Sequence, residues 1–370
     1  MKNKSLRVMI GGGGTGGHIF PALAIANEIR HRKPDSEILF VGAKGRMEMT
    51  RVPEEGYEIV GLPIAGLQRK FTFDNLMLPF KVFNSLQKAI SLVREFKPDV
   101  VVGVGGYASA PLLLASRVLG IPYLIQEQNS FAGLTNKLLA RKAKSICVAF
   151  PDMNQYFPAK KIRMTGNPVR KDLLDLNISQ YEALAHFGLQ PGASTILVIG
   201  GSLGARTINE SVAKSLEDWA SKGYQLIWQT GVSYADKAKA ELAGFRNSGG
   251  MITMPFIKEM NFAYAAADVV VSRAGALSLA EICITGKASI LIPSPNVAED
   301  HQTKNAMTLV NQNAALTISD KDARTKLSAA TEGLLNNPAQ IELMGMAAHA
   351  FARPDATKSI VNHVLEIAKR

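Results

Sequence analysis

The chain has 370 residues, of which 47% are apolar and 20% charged. That balance excludes a wholly disordered, collagenous or coiled-coil chain and suits two globular domains of ordinary size. The net charge of +11 is one-sided: residues 1–170 carry 24 Lys/Arg against 12 Asp/Glu, and residues 171–370 carry 18 against 19. An anionic partner for the first half is therefore expected, whether nucleic acid, acidic lipid or a phosphorylated substrate.

The basic N-terminus is followed by only five mainly apolar residues before a run of glycines, too few for a secretion signal. Short apolar runs then alternate with helical patterns. Strands are predicted at 6–10, 38–41, 100–104, 123–125 and 145–149, and again at 195–199, 225–228, 269–272, 289–292 and 314–318. Helical spacing joins Ala22, Ile25, Ala26 and Ile29, and later Leu76, Phe80, Phe83, Leu86, Ile90 and Val93. The pattern restarts midway, with VMIGG at 8–12 and LVIGG at 197–201. The expected fold is α/β: two Rossmann-like, doubly wound parallel sheets, joined through the polar segment 165–177. A ligand site is expected in the cleft between the domains, outside the carboxyl ends of the strands. The uncharged, largely apolar stretch 100–116 contains three glycines and a proline and is too short to span a bilayer. Cys147 and Cys283 sit in apolar stretches and read as buried free thiols.

The candidate chemistry lies at the strand ends. The run Gly11-Gly12-Gly13-Gly14-Thr15-Gly16-Gly17-His18 leads from a strand into a helix, where backbone N–H groups can approach a phosphate. Gly12, Gly14 and Gly17 fit the dinucleotide fingerprint. The acid that should close the second strand is missing, because that strand ends Val41-Gly42-Ala43 and Glu37 stands at its other end. A nicotinamide cofactor is thus disfavoured. His18, at the loop tip, suits a base or a substrate contact. A second loop, Gly103 to Pro111, includes Gly105, Gly106 and Tyr107, and two loops in one half suggest two phosphates or one phosphate and a close backbone approach. In the second half, Gly200-Gly201-Ser202 repeats the turn, and Arg273 to Glu281 enters a helix whose carboxylate could hold a ribose diol. Gln302, in DHQTKN at 300–305, could read sugar hydroxyls. Asp320-Lys321-Asp322 has the Asp-x-Asp spacing but reads as a helix start, so no metal site is predicted. Between 66 and 97, Arg69, Lys70, Lys81 and Lys88 are interleaved with Phe73, Leu76, Met77, Phe80 and Phe83, as in an anchor to an anionic membrane surface. No nucleic-acid motif is present.

Six segments in order, GGTGGH (13–18), GVGGYASAP (103–111), EQN (127–129), TGNPVR (165–170), GGSLGAR (200–206) and RAGALSLAE (273–281), resemble the bacterial MurG family of glycosyltransferases. The resemblance spans nearly the whole chain. It implies a GT-B fold divided near 170, with the last helix, about 354–370, returning to the first domain. It implies inverting, metal-independent transfer of GlcNAc from UDP-GlcNAc, a substrate rather than a cofactor, to the muramyl 4-hydroxyl of lipid I. The product is lipid II for peptidoglycan, and the place is the cytoplasmic face of the inner membrane. Roles in cell shape and division, with partners among proteins of those processes, go with it. The donor contacts implied are Thr15, Gly16, Gly17, Asn129, Arg170, Ser202, Ile257, Ala276, Leu277, Ser278, Leu279, Ala280, Glu281 and Gln302, with Glu281 on the ribose and the backbone at Ile257 on the uracil edge. The first two glycine loops, through Gly13, Gly14, Gly103, Gly105, Gly106 and Tyr107, would face the acceptor diphosphate. His18 leads as base, with Glu127 as the competitor. The family's usual histidine before EQN is Gln126 here. A transferase acting on another lipid, a UDP-GlcNAc epimerase and a non-catalytic sugar-nucleotide sensor remain as rivals.

Overall fold

The structure, a computed structural model, describes residues 5–64, 78–174, 177–201, 204–245 and 250–369. It divides into two units: residues up to 168 with the last helix from 355 onward, and residues 169–354. Arg170 therefore belongs to the second unit.

The first unit holds seven strands: β1 (Arg7–Gly11), β2 (Glu37–Ala43), β3 (Glu58–Leu62), β4 (Val100–Gly103), β5 (Tyr123–Glu127), β6 (Ser145–Val148) and β7 (Ile162–Met164). They are all parallel, in the order β3-β2-β1-β4-β5-β6-β7. The order reverses between β1 and β4, which puts the loops after these two strands at a topological switch point. Alternation along β1 explains the two-sided core. Val8 and Ile10 pack with Ile25 and Ile29 of the helix Gly16–Arg32 and with Ile360, Val361 and Val364 of the helix Ala356–Ala368. Met9 points the other way, into a cluster with Leu112 and Leu113 of the helix Ser109–Val118 and with Ala89 and Val93 of the helix Leu78–Phe96. Successive strand residues face opposite sides, so both faces must be apolar and covered.

The second unit repeats the plan with six parallel strands: β8 (Thr195–Ile199), β9 (Gln225–Gln229), β10 (Met251–Met254), β11 (Val269–Ser272), β12 (Ala288–Leu291) and β13 (Leu316–Thr317). Their order, β10-β9-β8-β11-β12-β13, reverses between β8 and β11. Ile196 and Val198 pack with Ile208, Val212, Leu216 and Trp219 of the helix Arg206–Ser221. The two expected doubly wound sheets are present. Among the described residues no helix is long and apolar enough to cross a membrane.

Candidate active site

The candidate residues fall into two sets, one at the carboxyl ends of each sheet. In the first unit, β1 runs into Gly12, Gly13 and Gly14, and extended Thr15 opens the helix Gly16–Arg32. That helix offers no carbonyl to the N–H groups of Gly16 and Gly17, which lie in its first turn. His18 turns its ring back over the loop. Its Nδ1 lies 3.2 Å from the carbonyl oxygen of Gly13 and 3.2 Å from Thr15 Oγ1. Gly105 carries the facing loop, and a Cβ added there would come within 2.9 Å of His18 Cδ2.

Several glycines of this unit serve packing. A Cβ on Gly103 would meet Leu113 at 2.5 Å, and one on Gly106 would meet the carbonyl oxygen of Gly13 at 2.3 Å. Gly105 and Gly106 also hold φ of +92° and +79°, where a side chain is strained. The second loop is thus glycine-rich because it rests on the first loop and on His18. Tyr107, which follows, is exposed. One expectation is corrected: the Gly14 N–H is no open phosphate donor, because it donates to Glu48 Oε2 at 3.0 Å.

Glu127 closes β5 and is fully buried. Its Oε1 accepts from the Asn129 backbone N–H at 3.1 Å, and its Oε2 accepts from the Gly133 N–H at 3.0 Å and from Asn136 Nδ2 at 2.8 Å. Burial pushes its carboxyl up from the ordinary range, and these donors pull it partly back. Every partner donates, so both oxygens are engaged in shaping residues 128–133. The neighbouring Gln126 lies in a buried amide network. Its Nε2 donates to Asn167 Oδ1 at 3.0 Å, Asn167 Nδ2 donates to the Gln128 carbonyl at 2.9 Å, and Gln128 Nε2 donates to the Val104 carbonyl at 2.8 Å and to Gln126 Oε1. In this chain the position of the missing histidine is a structural amide that ties the ends of β4 and β5 to the segment entering the second unit.

In the second unit the helix Ala276–Thr285 starts after extended Gly275, leaving the N–H groups of Leu277 and Ser278 without a carbonyl of their own helix. Leu279 is core, and Glu281 stands two residues further on. Glu281 Oε1 lies 3.3 Å from Arg170 Nε, and Tyr264 donates its hydroxyl to Oε2 at 3.2 Å. Burial pushes the Glu281 carboxyl upward, and Arg170 and the Tyr264 hydroxyl oppose that shift. Burial, with Glu281 adding to it, also holds the Tyr264 hydroxyl well above its ordinary range. Gln302 accepts the Ser294 N–H on Oε1 at 2.8 Å, so its NH₂ group faces onward as a donor. Ile257 is buried and anchors the turn after β10, beside the half-exposed ring of Phe256. The glycine turn here is also tight: a Cβ on Gly204 would meet the Thr230 carbonyl oxygen at 2.4 Å. Ser202 lies outside the described residues.

Asp320 accepts from Arg273 and, at 3.0 Å, from Thr207 Oγ1, while Asp322 precedes the helix Ala323–Leu335. Among the described residues no cluster of three or more His, Cys, Asp or Glu could hold a metal ion. Of the basic and aromatic stretch, Arg69, Lys70, Phe73, Leu76 and Met77 lie outside the described residues. Phe80 and Phe83 are 66% and 59% exposed on the helix Leu78–Phe96, too much for core residues. Lys88 is half-buried, and its Nζ donates to the Gly61 carbonyl of β3 at 2.9 Å.

Two residues were missed from the sequence. Tyr264 gave no signal there beyond an apolar helical position. Glu48 did: it and Val52 are the buried residues of the helix Glu48–Glu54, a carboxylate at core spacing.

Two Rossmann-like sheets in one chain, each with glycine-lined loops at its switch point, give the protein a GT-B fold. Residues 8–148 match the glycosyltransferase family 28 N-terminal domain, and residues 195–360 match the family 28 C-terminal domain. The UDP-N-acetylglucosamine–N-acetylmuramyl-(pentapeptide) pyrophosphoryl-undecaprenol N-acetylglucosamine transferase of Cytophaga hutchinsonii is 53% identical over 99% of this chain and 98% of its own. The transferase of the same name from Porphyromonas gingivalis is 50% identical over 99% and 97%. The crystal structure of Acinetobacter baumannii MurG superposes with a TM-score of 0.79 at 30% identity, over 98% of this chain and 99% of that one. A UDP-GlcNAc 2-epimerase from Neisseria meningitidis shares the fold alone, with a TM-score of 0.66 at 14% identity. The chain belongs to the MurG family.

Proposed function

We infer that this protein transfers GlcNAc from UDP-GlcNAc to the muramyl 4-hydroxyl of undecaprenyl-diphospho-muramoylpentapeptide, lipid I, and so makes lipid II for peptidoglycan. The observation that carries the substrate is the full-length identity of about half to transferases bearing that name. Fold alone cannot, since an epimerase shares it.

His18 acts as the general base. Hydrogen bonding of Nδ1 to the Gly13 carbonyl leaves Nε2 to take the proton of the acceptor hydroxyl. The hydroxyl oxygen attacks the anomeric carbon, the bond from that carbon to the β-phosphate oxygen breaks, and UDP leaves with the electron pair. One in-line displacement inverts the centre. Glu127 is a loop-shaping residue, because its oxygens are already occupied. The ribose diol is taken by Glu281, held by Arg170 and Tyr264. The first turn of the helix Ala276–Thr285 stabilises the leaving diphosphate. Phe80 and Phe83, with Lys81 between them, seat the first unit on an anionic membrane surface where the lipid acceptor resides.

Purified protein given UDP-GlcNAc alone should release no UDP. Addition of a lipid I analogue should start release, with one disaccharide formed per UDP. Conversion of the donor sugar to N-acetylmannosamine without an acceptor would replace this reading with the epimerase one.

A further inference from the structure

We propose that Glu48 is the positioning residue of the base: through the one peptide group that joins Gly13 to Gly14, its carboxylate fixes the tautomer and orientation of His18. The proposal rests on the reading of His18 as the base. Glu48 is fully buried at the start of the helix Glu48–Glu54. Its Oε1 accepts the Ala43 N–H at 2.9 Å, and its Oε2 accepts the Gly14 N–H at 3.0 Å. Both partners donate, which is the geometry of an ionised carboxylate. An apolar side chain would fill the space but would strand the Gly14 and Ala43 N–H groups, so the carboxylate is there to hold these two donors.

The surroundings are cleared for this group. A Cβ on Gly13 would come within 2.1 Å of Glu48 Oε1, and one on Gly42 within 2.6 Å of its Cγ. Two glycines from different segments thus make the cradle. Gly106 packs against the backbone of Gly13 itself and touches the peptide group, not Glu48.

The N–H that Glu48 holds and the carbonyl that His18 reaches belong to the same peptide group. In a trans peptide they point in opposite directions. A negative charge on the N–H side strengthens the carbonyl oxygen as an acceptor on the other side. His18 Nδ1 lies 3.2 Å from that oxygen. A carbonyl cannot donate, so a bond to it needs the proton on Nδ1, with the Thr15 hydroxyl, also 3.2 Å from Nδ1, as a second acceptor; the lone pair is then on Nε2. The arrangement is carboxylate, peptide, imidazole. It does through a backbone amide what a direct carboxylate does for other catalytic histidines.

The test has two arms. Nitrogen NMR of the wild type, with the His18 signals identified by their loss in His18→Gln, should show the neutral ring protonated on Nδ1. In Glu48→Gln the ring should shift toward the other tautomer. In that variant kcat should fall about ten- to a hundred-fold, the range seen when an orienting partner is removed, with KM for UDP-GlcNAc unchanged. In a His18→Ala background, Glu48→Gln should cost nothing further. Protonation on Nε2 in the wild type would overturn the proposal, even where Glu48→Gln folds poorly. So would an equal loss of kcat with His18 present or absent, which would make Glu48 a support for the fold alone. A loss below about threefold in His18→Ala by itself would mark failure of the base reading and remove the proposal with it.

Discussion

The two glycine turns, after β1 and after β8, come from nearly the same sequence pattern and are held by opposite chemistry. Below the first, Glu48 accepts the N–H of Gly14, so a carboxylate consumes a backbone donor. Below the second, Gln229 Nε2 donates to the carbonyl of Gly201 at 3.0 Å, so a neutral amide consumes a backbone acceptor. The first turn has negative charge beneath it and a histidine folded over it. The second has none from this tether, and the neighbouring helix Ala276–Thr285 brings its N-terminus and an Arg170–Glu281 pair. A glycine run shows that backbone comes close to something. The partner of the loop decides whether that something is a base to be aimed or a diphosphate to be held.

This contrast predicts a division of labour, and the largest effect should fall on the first turn. His18→Ala should lower kcat by about 10²–10⁴ with little change in donor binding. A loss below about threefold, measured at saturating donor and acceptor, would leave the first turn as scaffold and blur the contrast.

The second turn should answer differently. Glu281→Ala should raise KM for UDP-GlcNAc about ten- to a hundred-fold, from the roughly 1.5–3 kcal/mol of a charge-assisted hydrogen bond. Its pH dependence sharpens the test. Burial raises the Glu281 pKa above 4.5, so the ionised acceptor is lost as pH falls through that raised value. Donor affinity of the wild type should therefore weaken on the acid side earlier than an ordinary glutamate would allow. The Glu281→Gln variant should lack that limb. An identical acid profile in the variant would assign it to another group.

The smallest effect lies outside both turns. Phe80→Ser with Phe83→Ser should weaken partition to anionic vesicles about tenfold for each ring that inserts, from roughly 1.5 kcal/mol of apolar burial. Added salt should weaken the wild type as well, by screening the cations. Turnover of a short-chain, water-soluble acceptor should be unchanged. Its collapse alongside vesicle binding would mean that this helix supports the acceptor site itself.

What could be read from the sequence follows from burial. Central strands such as β4 and β8 are buried at every residue, so they appear as unbroken apolar runs. The edge strands β3, β7 and β10 were not predicted: each is only partly buried, β7 is three residues with Arg163 at its centre, and the apolar runs of β3 and β10 are interrupted by Gly61 and Thr253. The glycine loops and Glu281 stood out as motifs. The use of their backbone groups did not, since Gly14 meets its partner 34 residues away and Gln126 meets Asn167 41 residues away. Lys88 shows the same limit: a cation in a basic stretch reads as surface until the Gly61 carbonyl is found beside it.

Calorimetric titration of UDP into His18→Ala and Glu281→Ala, beside the wild type, tests the central claim most directly. The division of labour predicts wild-type affinity in the first variant and a loss of about ten- to a hundred-fold in the second. Equal losses in both, or a loss confined to His18→Ala, would contradict it.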